Sequence, residues 1–243
     1  PRGNGPSPRP LEPTTTRATT TTFDEAPYLT AIFTTRVMGK KQLIAASSWL
    51  QANCNLIVFA DNVTASVAAV ARRFPAALRD GRIHILPVDA AAKSRVSGKV
   101  KLNFMLRVAE PLAETPWVAI TNDDVMVDPR TFPIAMASVP STFVASGMRF
   151  DCPMDWAAVP DDLAYGDVET FVELSPPRRR CSLYGPHVGM DFFAFPRDDL
   201  GARLKPVGGI EALDFFLGQA LWDNALAEIS KHDLVDISAV TML

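Results

Sequence analysis

Short apolar runs alternate with amphipathic stretches along most of the chain from Phe23 onward. Four runs rich in Ile, Val, Phe and Thr are typical of strands: residues 28–37, 55–61, 82–89 and 117–125. Between them, apolar side chains recur every three or four residues, which predicts three helices: residues 40–51, 63–74 and 97–112. This alternation predicts an α/β fold with a mostly parallel, Rossmann-type sheet and helices on both faces.

The pattern loosens after residue 130, where longer connections separate the apolar runs. Runs at 143–150 and 188–197 predict that the sheet continues, and a further helix is expected near 210–232. The connection between the two runs is rich in Pro and Asp and holds the basic run Arg178–Arg180. We therefore expect one domain over residues 23–243.

The first 22 residues differ from the rest in composition. They hold five prolines and seven threonines, and besides proline only Leu11 and Ala18 are apolar. Such a segment cannot bury enough surface to offset the entropy lost on ordering. We therefore expect residues 1–22 to be a disordered linker or stem.

Charge and cysteine content exclude some classes of protein. The 24 basic and 27 acidic residues give a formal net charge of −3, without the basic excess of a nucleic-acid-binding surface, so we expect no nucleic-acid partner. The cysteines Cys54, Cys152 and Cys181 lack the C-x-x-C spacing of a zinc ribbon and are too few for a disulfide scaffold. No apolar run reaches about 18 residues, so no membrane span is expected in this chain.

Two adjacent carboxylates, Asp123 and Asp124, come shortly after the apolar run WVAI and are preceded by Asn122. Ligands of parallel sheets bind at the carboxyl ends of the strands, and two charges there are costly unless a cation pairs with them. Mn²⁺ and Mg²⁺ accept carboxylate oxygens and also bridge diphosphate oxygens, so this is a candidate Mn²⁺ or Mg²⁺ site. A turn formed by the aspartates is the alternative explanation.

Two later segments accompany this motif: GMDFFAFPR at 189–197 and LGQALWDNAL at 217–226. With the order of strands and helices, they make the chain resemble glycosyltransferases of the GT-A fold, in which a D-x-D motif follows a strand at the position of Asn122–Asp124. The resemblance covers about residues 28–235 in its order of elements, although only these three segments are specific. It implies a GT-A-like fold.

The resemblance implies a role for each matching residue. Asp124 would bind the metal, while Asn122 and Asp123 would face the ribose and a metal-bound water. Asn122 departs from the usual aspartate, which leaves the metal with one carboxylate fewer. Asp223, in the segment W-D-N, matches the carboxylate that inverting members use as general base. His232 falls where some members place a metal-ligating histidine, although a structural or surface histidine is the commoner explanation.

Five further residues are candidates for contacts with a donor or an acceptor. Thr35 and Arg36 end the first strand, where GT-A proteins cradle the nucleotide, and Asp61 ends the second strand, where it could bind the base or ribose. A surface ion pair for Arg36 and a turn for Asp61 are the commoner explanations. Asp191 and Trp222 are candidate acceptor contacts.

We therefore predict a glycosyltransferase that moves a sugar from a nucleotide-diphosphate donor to an unknown acceptor, whether glycan, glycoprotein or small molecule, with metal assistance and inversion. A non-catalytic GT-A-like domain that binds a glycan or a partner is an alternative, which Asn122 favours. A sugar-phosphate nucleotidyltransferase is disfavoured, because that class has a glycine-rich loop where this chain has only Gly39. The Pro- and Thr-rich segment fits either a Golgi-lumen enzyme of type II membrane topology or a cytoplasmic protein.

Overall fold

The structure is a computed structural model. It describes residues 26–148, 150–151, 156–157, 159–160, 182–183, 190–217 and 222–238. Several predicted features lie outside these residues: the linker at 1–22, the basic run Arg178–Arg180, Cys152, Cys181, and residues 189 and 218–221 of the two later segments.

Nine strands and seven α-helices lie in the described part of the chain. The strands are β1 (Leu29–Thr35), β2 (Cys54–Ala60), β3 (Ile83–Pro87), β4 (Trp117–Thr121), β5 (Val144–Gly147), β6 (Phe150–Asp151), β7 (Ser182–Leu183), β8 (Phe192–Pro196) and β9 (Leu234–Asp236). The helices are α1 (Lys40–Gln51), α2 (Val63–Arg73), α3 (Pro75–Arg79), α4 (Leu102–Ala109), α5 (Phe132–Ser138), α6 (Arg197–Leu204) and α7 (Trp222–Ser230). None of the helices described is both long and apolar enough to cross a membrane.

Seven strands form one sheet in the order β3-β2-β1-β4-β8-β5-β9, while β6 and β7 form a separate ladder. Neighbouring strands of the large sheet are parallel except at β8, which runs antiparallel to both β4 and β5. The carboxyl ends of the six parallel strands therefore share one edge of the sheet, which we call the carboxyl edge. Because β8 is reversed, its amino end lies at the same edge. The predicted mostly parallel α/β sheet is confirmed.

Helices cover both faces of the sheet, as predicted. On one face, Trp49 of α1 and Phe132 of α5 pack with Phe192 of β8, and their ring centroids lie 5.3–5.8 Å apart. The other face holds a second cluster of buried side chains, to which α4 contributes Leu106 and α7 contributes Leu226. The two clusters together bury the sheet between helical layers.

The turn after β2 shows how the sequence sets the helix bounds. Asn62 caps α2, because its side chain accepts a hydrogen bond from the backbone amide of Ala65 at 3.0 Å. Arg72 and Arg73 lie in the last turn of the same helix, where cations are favourable. Pro75 then begins α3 at a position that needs no amide donor.

Three predicted elements differ from the structure. The helix predicted over 97–112 begins only at Leu102, because Gly98 has φ +68° and Val100 forms a bridge with Lys93. The strand predicted over 143–150 ends at Gly147. The helix predicted near 210–232 is interrupted: the described residues form a 3₁₀ turn at Ile210–Ala212 and then α7.

Candidate functional site

A cleft of about 400 Å³ opens at the carboxyl edge, beside the ends of β1, β2 and β4. Four of the predicted donor-binding residues line it: Thr35, Arg36, Asp61 and Asp123. The segment 97–100 and Gln42 of α1 form other parts of the wall. The fold thus brings together the side chains that follow three separate strands.

The three side chains after β4 each have a partner in the protein. Asn122 donates from Nδ2 to a carboxylate oxygen of Asp191, at 2.5 Å. Asp123 accepts a hydrogen bond from Nε2 of Gln42 at 3.1 Å. Asp124 forms an ion pair with Lys41, whose Nζ lies 2.6 Å from Oδ2. The motif therefore connects the end of β4 to the first turn of α1 on one side and to the start of β8 on the other.

Asp123 is costly to hold in its charged form. Its burial raises the pKa of the carboxyl group above the ordinary aspartate value, and the negative charge of Asp124 raises it further. Hydrogen bonds from Thr35 and Gln42 and the positive charge of Lys41 act in the opposite direction. A perturbed carboxyl group in a cleft is typical of a functional site.

A small hairpin over residues 93–100 forms part of the cleft wall. Lys93 and Val100 close it as an antiparallel bridge, and Gly98 supplies the left-handed backbone conformation that glycine adopts readily. Nζ of Lys93 lies 2.7 Å from the carboxylate of Asp61. This ion pair connects the hairpin to the end of β2 and leaves Asp61 at the cleft surface.

Buried groups behind the motif fix the turn that follows Asp124. The indole Nε1 of Trp49 donates to the carbonyl oxygen of Val125 at 2.9 Å. The backbone amide of Val127 donates to the hydroxyl of Ser48 at 3.1 Å. Both side chains belong to α1 and are buried, so α1 holds the backbone of the motif in addition to contacting its side chains.

The candidate acceptor residues lie at the same edge but belong to other elements. Asp191 precedes β8, and its backbone amide donates to Gly147 of β5 at 3.1 Å. Trp222 begins α7 and is only 4% exposed, with its ring 5.9 Å from that of Phe193. This packing gives Trp222 a structural role, and its predicted acceptor contact stays a prediction.

Asp223 follows Trp222 in the first turn of α7. The neighbour of Trp222, Phe193, pairs with Ile120 near the end of β4, which places the start of α7 at the carboxyl edge. Trp222 and Leu226 pack in the face covered by α4, whereas α1 packs on the opposite face. The first turn of α7, which contains Asp223, and the first turn of α1, which contains Lys41, therefore lie on opposite faces of the sheet.

His232 does not join the other candidates. It lies just before β9, whose first residue pairs with Val144 at the start of β5. This is the amino edge of the sheet, opposite to Asp124. The structure therefore does not bring His232 together with Asp124.

The side chains at the carboxyl edge fit a bound Mn²⁺ or Mg²⁺ poorly in this arrangement. A hard divalent cation needs several oxygen ligands, yet within the described ranges no three His, Cys, Asp or Glu side chains come together to hold one. Asp124 faces an ammonium group, and Asp123 accepts a hydrogen bond from Gln42. Metal binding by Asp124 stays a prediction.

Sequence reasoning missed Lys41, Gln42 and the hairpin residues Ser97 and Gly98. One signal could have indicated Lys41. The first turn of α1 contains two lysines and no acidic residue, although the partial positive charge of a helix N-terminus disfavours cations. Basic residues there indicate a neighbouring anion, which in this structure is Asp124.

Comparison with known proteins supports the fold. No protein-family model matches the sequence, and no curated protein matches it either. Among solved structures, S. aureus TarS 1–349 is similar at 12% identity and a TM-score of 0.51, over 88% of this chain and 59% of that one. The same protein in complex with UDP gives 11% identity and a TM-score of 0.50, over the same shares of both chains. The chain thus spans less than two thirds of TarS 1–349.

The galactosyltransferase LgtC is a further structural neighbour, at 11% identity and a TM-score of 0.43, over 85% of this chain and 72% of that one. With the strand order and the one reversed strand of the seven-stranded sheet, the likeness to TarS defines the class of fold: it is an α/β fold of the GT-A type, as predicted.

Proposed function

We propose that this chain is a glycosyltransferase that transfers a sugar from a nucleotide-diphosphate donor to an acceptor hydroxyl group. The observation that carries the proposal is the cleft at the carboxyl edge, where residues from the ends of β1, β2 and β4 converge. The UDP complex of TarS, a protein of the same fold, supports a nucleoside diphosphate as the ligand.

The cleft offers groups that suit each part of such a donor. Asp61 and Asp123 present carboxylates, which accept hydrogen bonds from ribose hydroxyls or from a base. Arg36 and Lys99 present cations, which bind phosphate oxygens. Because the anionic and cationic groups lie on different segments of the wall, a donor could contact both sets at once.

The proposed transfer is a single displacement with Asp223 as general base. The acceptor oxygen forms a bond to the anomeric carbon, the bond from that carbon to the diphosphate oxygen breaks, and the electron pair leaves with the diphosphate. The acceptor proton moves to the carboxylate of Asp223. Inversion requires the base and the leaving group on opposite sides of the sugar, and the approach of α7 from the face opposite to α1 suits that requirement.

A non-catalytic domain that binds a glycan or a partner is the second candidate. It is favoured by one observation: Asn122, Asp123 and Asp124 all have protein partners, so the motif is stable without a ligand. Binding of a nucleoside diphosphate together with cleavage of its sugar derivative would contradict this candidate.

A nucleotide titration tests the proposed function. We expect one of UDP, GDP and ADP to raise the melting temperature by roughly 5–10 °C at about one hundred times its Kd, since binding at that level adds about 2.7 kcal/mol. The matching nucleoside without phosphate should give a much smaller shift. No shift with any of the three nucleotides would contradict the proposal.

Substitution of Arg36 tests the position of the phosphates. We expect Arg36→Gln to weaken binding of the same nucleotide by roughly tenfold or more in calorimetry, because a hydrogen bond to a charged group contributes about 1.5–3 kcal/mol. Arg79→Gln is the matched control, since Arg79 is an exposed arginine paired with Asp80 and does not line the cleft. Equal losses in both variants would argue against a phosphate contact at Arg36.

The substitution Asp123→Asn should raise the stability of the fold while it weakens nucleotide binding. Folding raises the pKa of Asp123 above its value in the unfolded chain. Between these two pKa values the folded protein binds more protons than the unfolded chain, so the free energy of unfolding falls as the pH rises. The neutral variant lacks this cost. We expect a higher melting temperature than wild type at pH 7, a difference that shrinks as the pH falls toward 4, and nucleotide binding weakened about tenfold.

The control for this experiment is Asp80→Asn, at an exposed aspartate in a surface ion pair. It should change neither the melting temperature nor the affinity by much. A melting temperature of Asp123→Asn below that of wild type at pH 7 would show that the charged carboxylate stabilises the fold, contrary to this account.

A further inference from the structure

Lys41 places a positive charge at the carboxylate where a metal was predicted. Its Nζ lies 2.6 Å from Oδ2 of Asp124, and also 5.7 Å from the centre of the Trp156 ring. The side chain of Lys41 is 41% exposed, against 23% for Asp124. The ammonium group is therefore anchored by a carboxylate while part of the side chain stays open to solvent.

This pair lies directly beside the cleft. Gln42 and Asp123, the chain neighbours of Lys41 and Asp124, both line the cleft and bond to each other. The two contacts Gln42–Asp123 and Lys41–Asp124 lie side by side, and both join the first turn of α1 to the turn after β4. A ligand that extends from the cleft past Asp123 would meet Lys41 next.

The positive charge of Lys41 would destabilise α1 if no anion lay near it. It lies in the first turn of α1, which has no acidic residue and no side-chain cap, and the helix dipole disfavours a cation there. Asp124 offsets this repulsion, and an anionic ligand would offset it further, because a helix N-terminus and a lysine attract the same anion.

We propose that the ammonium group of Lys41, positioned by Asp124, binds the diphosphate of the donor and takes the place of a divalent cation; this inference rests on the proposed glycosyl transfer. As the bond between the anomeric carbon and the diphosphate oxygen breaks, negative charge grows on the outer phosphate. Lys41 donates hydrogen bonds to that phosphate and keeps its protons, while the acceptor proton goes to Asp223. In this transfer the positive charge of Lys41 offsets the negative charge on the leaving phosphate, and every atom is accounted for without a metal ion.

The test measures nucleotide affinity by calorimetry in the presence of EDTA and, separately, of Mn²⁺. The probes are UDP, GDP and ADP, and then the monophosphate of whichever binds wild type best. We expect wild type to bind this diphosphate equally in both buffers. Lys41→Gln should lose about tenfold or more in diphosphate affinity with its monophosphate affinity unchanged, and Lys41→Arg should retain most of the diphosphate affinity.

The matched control is Lys231→Gln, which also removes one lysine from a surface ion pair, that with Glu228, but at the amino edge of the sheet. It should leave both affinities unchanged. Diphosphate binding that requires Mn²⁺, or a Lys41→Gln variant that binds as tightly as wild type, would overturn the inference while the proposed function stands. Failure of wild type to bind any of the three nucleotides in either buffer would overturn both.

Discussion

Replacement of Asp223 by asparagine should lower the rate of sugar transfer by about 10²- to 10⁴-fold, the usual contribution of a general base. Asparagine has the same shape as aspartate but cannot take the acceptor proton. Asp223 lies on α7, outside the residues that line the donor cleft, so nucleotide affinity should not change. The measurement is the initial rate of nucleoside-diphosphate release from the sugar derivative of whichever nucleotide binds, beside calorimetry with that nucleotide.

Glu228→Gln provides the control for this prediction, because Glu228 is an exposed carboxylate on the same helix. It should retain the wild-type rate. If Asp223→Asn and Glu228→Gln had equal rates, Asp223 would not be the base. If Asp223→Asn lost rate and nucleotide affinity together, its carboxylate would serve the donor site rather than the acceptor.

Trp49→Ala should destabilise the protein by about 3–5 kcal/mol, in the range of large-to-small substitutions in a core, and lower the melting temperature by roughly 10 °C. The indole is fully buried, contacts the rings of Phe132 and Phe192, and donates to Val125. The substitution leaves a cavity behind the motif and removes the hydrogen bond to the carbonyl group of Val125. Thermal and urea unfolding would measure the loss.

Trp49→Phe separates the two contributions, since it keeps an aromatic ring but removes the hydrogen bond to Val125. We expect a cost of about 1–3 kcal/mol and weaker nucleotide binding, because the turn after Asp124 loses its support. Ile134→Ser on α5 is the control: its side chain is 69% exposed, so its effect should stay within about 0.5 kcal/mol. A Trp49→Phe variant with wild-type nucleotide affinity would show that the turn holds without this bond.

The strands in the first half of the fold could be predicted from the sequence because each of the first four apolar runs corresponds to one strand. The helix predicted over 40–51 has the same bounds in the structure, and the first two predicted strands differ only at their ends. The direction of the strands in the later half could not be predicted from local patterns. The direction of β8 depends on its pairing with both Ala119 and Ala145, contacts that no local pattern encodes.

The residues of the candidate site also differ in whether the local sequence pattern or only the pairing of distant strands reveals them. Thr35 ends β1, and Asp61 and Asp123 come within two residues of the ends of β2 and β4, so the rule that ligands bind at strand ends was enough to group them. Lys41 and Asp124 are 83 positions apart, and only the parallel pairing of β1 with β4 brings their elements together. The predicted role of His232 rested on resemblance alone, and the topology places that residue at the other edge.

The ladder between Phe150–Asp151 and Ser182–Leu183 has a consequence for how such proteins diversify. It closes the base of the connection formed by residues 152–181, while Val144–Gly147 and Phe192–Pro196 are held by their own pairings in the large sheet. Each doubling in the length of a loop costs only about 0.6 kcal/mol in closure entropy. Insertions that spare Trp156, whose ring centre lies 5.7 Å from Nζ of Lys41, would therefore leave the pairings of the large sheet unchanged, so this connection is a place where a new acceptor preference could be added.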